Sequence, residues 1–340
     1  MASHAISIAF QTDKPITAYG PLAATVERYG FNGVTVYNDL LYQPAWLPLL
    51  EIARHTQRIQ LGPAAVNPFT CHPINIAGHI ALIDEMSQGR AYMGLCRGSW
   101  LDFLGLQPER PVTALHEAFV CIRQLLCQST EPYHGTVFSL AGGETLRWPI
   151  RRSDIPFLLG TWGPKTMRAC MAEIDAIKVG GTANPDVIPS IRADLSQAAA
   201  AVGRSPSEVN LAVGAVTVVD RDGRAARDTA RREVALYLPV IAEFDPTLDI
   251  EPDRLNRIRE AAAAFDYERA GRDISDALLR RVAFAGTPND IAEQTAALFE
   301  AGVHRVEFGT PHGLTTAEGL RLLGEQVLPA LKHAYNLEDV

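Results

Sequence analysis

The chain is expected to fold as an α/β protein, a single (β/α)8 TIM barrel with insertions, and three observations lead there. Eight apolar runs of strand length are spread over its 340 residues, and most are followed by a stretch with helical periodicity. The runs are continuous in Val, Ile and Leu rather than alternating, as strands buried on both faces are. No GxGxxG turn follows the first run, where a doubly wound dinucleotide fold would carry one. Eight strand–helix units in this length fit a closed barrel ringed by helices.

In order, the strand candidates are 5–10, 33–37, 59–66, 91–96, 156–160, 176–179, 210–219 and 305–308. Helical patterns occupy 22–29, 45–58, 74–86, 114–126, 165–173, 187–202 and 317–331. Two segments interrupt the alternation. Residues 131–149 have hairpin character, with Gly142-Gly143 between two short apolar runs. Residues 235–282 are helical and charged, broken at Asp245-Pro246 and Glu251-Pro252. They follow the seventh strand, so they are placed either to cover the mouth of the barrel or to form a surface extension or dimer contact. The barrel domain is expected over 1–334, with a tail at 335–340.

Composition bounds the function. Hydrophobic residues make up 47% and charged residues 21%, which provides for a sizeable core. Net charge is −8 without a basic cluster, so a nucleic-acid partner is not expected, nor adhesion to an anionic membrane. No apolar run approaches the ~18 residues of a membrane span. The first residues, MASHAISIAF, lack a charged leader and cleavage site. Cys71, Cys96, Cys121, Cys127 and Cys170 form no CxxC pair, which fits reduced thiols in the cytoplasm. No Cys/His spacing, HExxH or GxSxG motif supports a metal or a nucleophilic serine.

Polar and aromatic residues gather just after strand ends, where α/β barrels place their chemistry. Asp39 follows the second strand in Asn38-Asp39-Leu40. A turn or helix-cap role is as good for it, on position alone, as a functional one. Gly160-Thr161-Trp162-Gly163-Pro164-Lys165 follows the fifth strand and opens a helix. Glycine permits close approach there, and Pro164 suits the first helical turn. The N–H groups of Lys165 and Thr166 then point out of the helix start, where an anion is favoured. An ordinary βα turn would also look like this. Arg97-Gly98-Ser99-Trp100 empties from the fourth strand, and His312 follows the eighth. Arg97 is a candidate partner for an anionic group, and Trp100 a candidate pocket wall.

Several of these segments carry a family resemblance. Residues 66–73, VNPFTCHP, and 83–95, IDEMSQGRAYMGL, resemble signatures of the luciferase-like monooxygenase superfamily. The turn LGTWGPK and the segment AGTPNDIAEQ…EAGVHRVEFGTPHG are similar to its deazaflavin-dependent branch, which includes methylenetetrahydromethanopterin reductase. The similarity runs from the first strand to about Pro329.

That resemblance implies a two-electron hydride transfer with coenzyme F420 and a small or medium organic substrate. It assigns Gly160, Thr161, Trp162, Gly163, Lys165 and Thr166 to the cofactor phosphate. It places Asp39 against the deazaflavin as the candidate catalytic carboxylate. It also implies a non-prolyl cis peptide at Ala64–Ala65 behind the ring, next to Asn67; from their places after strand ends, Arg97, Ser99, Trp100 and His312 are expected to line the substrate pocket. The chain departs from the pattern at three places. Leu40 stands where a histidine often follows the Asp, and the acids often found near Ala9 and Ser99 are missing. Two further readings remain open. An FMN-dependent monooxygenase would use the same barrel, with a flavin reductase as partner. A non-catalytic barrel that binds flavin or deazaflavin is the third. A homo-oligomer, a homodimer, is expected.

Overall fold

The computed structural model describes residues 4–335 and 337. In it, β1 (Ala5–Phe10) leads into α1 (Tyr19–Tyr29), β2 (Gly33–Val36) into α2 (Trp46–His55), β3 (Gln60–Pro63) into α3 (Pro73–Met86), and β4 (Met93–Cys96) into α4 (Pro111–Leu126). A hairpin of β5 (Tyr133–His134) and β6 (Ser139–Leu140) precedes β7 (Phe157–Gly160), α5 (Pro164–Cys170), β8 (Ala176–Gly180) and α6 (Ile188–Ala201). After β9 (Asn210–Val219) come α7 (Gly223–Val234), α8 (Leu238–Phe244), α9 (Pro252–Ala263), α10 (Tyr267–Arg272) and α11 (Asp276–Val282). Then follow β10 (Ala283–Gly286), α12 (Pro288–Glu300), β11 (Arg305–Gly313), α13 (Thr316–Leu322) and α14 (Leu328–Ala334).

Eight parallel strands run in the order β3-β2-β1-β11-β9-β8-β7-β4, and bridges at Leu61–Ala91 and Val66–Leu95 close β3 onto β4. These are the eight strands the sequence predicts. Between the two bridges β3 advances five residues and β4 only four, so β3 carries one extra residue, a bulge. The Ala64–Ala65 peptide is cis and lies within it. Gly94 faces the bulge: a Cβ there would stand 2.1 Å from the Pro63 carbonyl, so the two strands approach this closely only at glycine.

One strand was not expected. β10 pairs with β9 from Val216 to Val219, while β8 pairs only with Asn210 to Gly214. β9 outruns its neighbour, and β10 takes the edge left open. The helical insertion also begins earlier than the sequence suggests, at Gly223. α7 buries only Gly223, Ala226, Ala230 and Val234, too small a set to print an apolar stripe. Residues 336 and 338–340 of the expected tail lie outside the described residues, and Leu337 bridges to His4.

Two apolar cores result. The larger lies between the strands and their helices and includes Ile6, Phe119, Phe157 and Phe308; the smaller lies under the insertion and includes Val218, Leu238, Ile258 and Leu279. The insertion leans over the carboxyl end of the barrel. Ile241 comes within 2.6 Å of where a Cβ of Gly181 would be, and Phe244 stacks on Trp162 with ring centroids 6.3 Å apart. No helix among the described residues is long and apolar enough to cross a membrane. All five cysteines are free.

Candidate active site

Side chains on a strand alternate between barrel interior and helix layer, and a barrel interior stacks in layers of four from alternate strands. Register then fixes the layers. Thr35, Gly94, Lys178 and Glu307 form a middle layer. The next layer toward the carboxyl end is Ala9, Ala64, Gly160 and Gly214, all Ala or Gly. Above it come Tyr37, Cys96, Gly180 and Gly309. Ala64, Ala65, Cys96 and Gly160 keep partial exposure, and a Cβ at Gly180 would meet nothing within 4 Å. The carboxyl-end mouth is therefore a well walled mostly by small residues.

Asp39 stands at its rim, half-buried. Its Oδ2 accepts from the Gln11 side-chain amide at 2.8 Å. The cap-like contact belongs to Asn38 instead, whose Oδ1 accepts from the Ala45 N–H at 3.0 Å. Gln11 was not singled out from the sequence, since nothing local distinguishes it.

The bulge supplies another wall. The Cys96 thiol lies 3.7 Å from the Ala65 carbonyl, and burial pushes that thiol up to about 11. Asn67 is buried, and its Oδ1 accepts from the N–H groups of Phe69 and Thr70 at 3.0 and 2.9 Å. That oxygen organises its own turn, and the Asn67 amide nitrogen lies on the Gly98 side, 3.0 Å from where a Cβ of Gly98 would stand.

The turn after β7 is held from beneath. Thr161 donates its N–H to the Lys178 carbonyl at 3.0 Å, and the Trp162 indole donates to the Gly180 carbonyl at 2.9 Å. The Thr161 hydroxyl accepts from the Gly163 N–H at 3.0 Å. α5 begins at Pro164, and Lys165 is exposed.

Arg97, Ser99 and Trp100 are exposed on the loop after β4. Trp100 has a left-handed backbone, and its ring centroid lies 6.2 Å from that of Tyr237 of the insertion. Burial, and then the charge of Asp39, raise the Tyr237 phenol. Tyr237 thus belongs to the rim, brought there by a segment some two hundred residues from Asp39 in the chain.

His312 does not face the well. It is fully buried, its Nε2 is 3.0 Å from the Ala9 carbonyl, and it meets the Phe10 ring edge-on at 5.6 Å. Burial lowers its pKa to about 4. The expectation that it touches substrate is corrected: β11 continues to Gly313, two residues beyond the register shift at Gly309–Pro311, and turns the ring toward β1. At the opposite mouth lies a cavity of about 610 Å³, lined in part by Arg58, Arg90, Arg152 and Arg305. Among the described residues no cluster of His, Cys, Asp or Glu is arranged to hold a metal.

A parallel barrel whose carboxyl-end mouth is walled by Ala and Gly beside a bulged third strand places the chain among the (β/α)8 barrels. More narrowly, the chain belongs to the luciferase-like monooxygenase family, whose profile matches residues 2–305. It is 28% identical over 316 residues to the 5,10-methylenetetrahydromethanopterin reductase of Archaeoglobus fulgidus, covering 90% of this chain and 93% of that one. Among solved structures it resembles the coenzyme F420-dependent tetrahydromethanopterin reductase of Methanopyrus kandleri, with TM-score 0.88, 25% identity and coverage of 96% and 99%. It shares its fold with an F420-dependent secondary alcohol dehydrogenase solved with an F420–acetone adduct, at TM-score 0.80, 18% identity and coverage of 97% and 99%.

Proposed function

We propose that the chain is an F420-dependent oxidoreductase that moves a hydride between the deazaflavin and a small or medium organic substrate. The observation that carries this is the well itself: a layer of Ala9, Ala64, Gly160 and Gly214 beside the cis Ala64–Ala65 bulge, in a barrel similar over nearly its whole length to an F420-dependent reductase. When bound, the cofactor supplies two-electron hydride chemistry, and the protein supplies position and exclusion of water.

In this assignment Ala64 and Ala65 back the ring. Gly160 to Gly163 let the backbone approach the phosphate, with the N–H groups of Lys165 and Thr166 beside it. α5 is only seven residues long, so its partial positive end is small and the Lys165 ammonium supplies much of the attraction. Asp39, oriented by Gln11, is the carboxylate at the rim that accepts a proton or hydrogen bond. Trp100, Tyr237 and Trp162 cover the mouth, and Arg97 and Ser99 border the substrate. With no acid at Ala9 or Ser99, the substrate differs from that of the methanopterin reductases or is oriented differently. A homodimeric cytoplasmic enzyme is part of this proposal.

Titrating the purified protein separately with F420 and FMN tests it, with cofactor fluorescence as the readout. F420 is expected to bind at micromolar concentration or below and FMN far more weakly. Tight FMN binding without F420 binding would overturn the assignment in favour of a monooxygenase served by a flavin reductase. Tight F420 binding with no turnover across alcohols, enones, imines and pterins would make the chain a binding barrel rather than an enzyme.

A further inference from the structure

Directly beneath the Ala/Gly layer, four buried groups form one connected set. The Lys178 ammonium donates to Oε1 of Glu307, whose Oε2 accepts from the Thr35 hydroxyl. That hydroxyl is 2.7 Å from the hydroxyl of Tyr92. Two layers lower, the Arg305 guanidinium sits 5.3 Å over the Tyr92 ring, and its Nε and one Nη find no acceptor among the described residues. Lys178 first, and then Arg305, offset the burial of Glu307 and hold its carboxyl low.

The charge is not symmetrically placed. The Lys178 side chain keeps 8% exposure, whereas that of Glu307 keeps none. The Lys178 Nζ lies 5.0 Å from the centre of the Tyr37 ring, which belongs to the topmost layer. Its field reaches the Cys96 thiol in that same layer. Between Lys178 and the open well stand only Ala9, Ala64, Gly160 and Gly214. A group that enters the well meets the Lys178–Glu307 pair beneath it, the ammonium being the partner that keeps some exposure.

We propose that Lys178, fixed by Glu307, is the cation over which the cofactor ring rests, a positioning residue that holds the ring in its ionised, anionic form. The assignment rests on the deazaflavin proposal above. The deazaflavin ring carries an acidic hydroxyl, and its ionisation changes the visible spectrum. An opposite charge within ~4–6 Å lowers the pKa of an acid by about 1–3 units. The charged or titratable groups around Lys178 are Glu307 and Arg305 on β11, Tyr37 and Asp39 after β2, Tyr92 just before β4, Cys96 at its end, and Tyr237 from the insertion. The Cys96 thiol, at about 11, and the Tyr92 phenol, at about 12, stay protonated across neutral pH, so they add no signal there.

The test is a pH titration of the absorbance of bound F420, in wild type and in Lys178→Met, Lys178→Arg and Lys178→Met/Glu307→Gln. Wild type is expected to ionise the bound ring about 1–3 units below the free cofactor. Lys178→Met should bring it back to the free value or above, and Lys178→Arg should retain most of the shift. If Lys178→Met does not fold, the double variant removes both charges together and should bring the ring to the free value. A ring pKa unchanged in a folded variant lacking Lys178 would overturn the inference while leaving F420 binding intact. Absence of F420 binding to wild type would remove the deazaflavin proposal and this inference together.

Discussion

Gln11 donates its side-chain amide to the Asp39 carboxylate at 2.8 Å, tying the ends of β1 and β2 across the barrel mouth. Gln11 is itself held, because its Oε1 accepts from the Thr12 N–H at 2.8 Å. One oxygen of Asp39 is therefore committed, while among the described residues the other has no hydrogen-bond donor. It is free to accept from a ligand at the rim.

Asp39→Asn preserves the shape and removes the charge. General acid–base assistance is worth ~10²–10⁴ in rate, and hydride transfer should fall by that order while F420 affinity changes far less. Single-turnover oxidation or reduction of bound F420 measures the step directly. A variant that turns over like wild type would take Asp39 out of the mechanism.

Lys165→Ala tests the phosphate turn. Loss of a hydrogen bond to a charged group should weaken F420 binding by about 1–3 kcal/mol. Lys165 is exposed, so the melting temperature of the cofactor-free protein should not move. Equal affinity in wild type and variant would leave Lys165 as a solvated helix residue.

The Lys178–Glu307 pair carries a stability prediction separate from its effect on the ring. Both side chains are buried. Removing one partner of a buried pair leaves an uncompensated charge, at a cost of roughly 3–5 kcal/mol. Lys178→Met should therefore lower the urea midpoint strongly, and Lys178→Met/Glu307→Gln should recover most of the loss. A double variant as unstable as the single one would locate the cost in packing instead.

Much of the fold is legible in the sequence. The eight barrel strands announce themselves because strands buried on both faces need continuous apolar runs. β10 does not, being four residues, AFAG, that form a strand only because β9 overhangs β8. Asp39 and the turn after β7 could be placed from strand ends alone. The floor of the well could not. Lys178 and Glu307 are 129 residues apart, and only barrel closure with its register puts them in one layer. Tyr237 reaches the rim through the fold of a helical insertion whose charged sequence shows no direction. His312 was misjudged because a residue after an apolar run was taken to face the well, whereas β11 runs on to Gly313 with a register shift.

That burial of His312 has a consequence in acid. Its folded pKa is depressed to about 4 by burial, against an unfolded value of about 6.5. Above 6.5 the ring is neutral in both states and the folded protein keeps its full stability. As pH falls below 6.5 the unfolded chain takes up a proton that the folded chain refuses, so stability drops until about pH 4. The linkage gives a loss of about 2 kcal/mol by pH 5. Glu307 contributes elsewhere on the scale. Burial would raise its carboxyl, but Lys178, Arg305 and the hydrogen bonds outweigh that and hold it low. Its contribution is complete above its unfolded value of about 4.3 and fades only below it. His79, also lowered by burial, titrates alike in wild type and variant. Urea midpoints at pH 7.5 and pH 5 isolate the effect: His312→Gln, which keeps a donor for the Ala9 carbonyl, should lose distinctly less stability on acidification than wild type. Equal losses would mean that His312 is protonated without penalty, and that its cage against β1 opens in the native state.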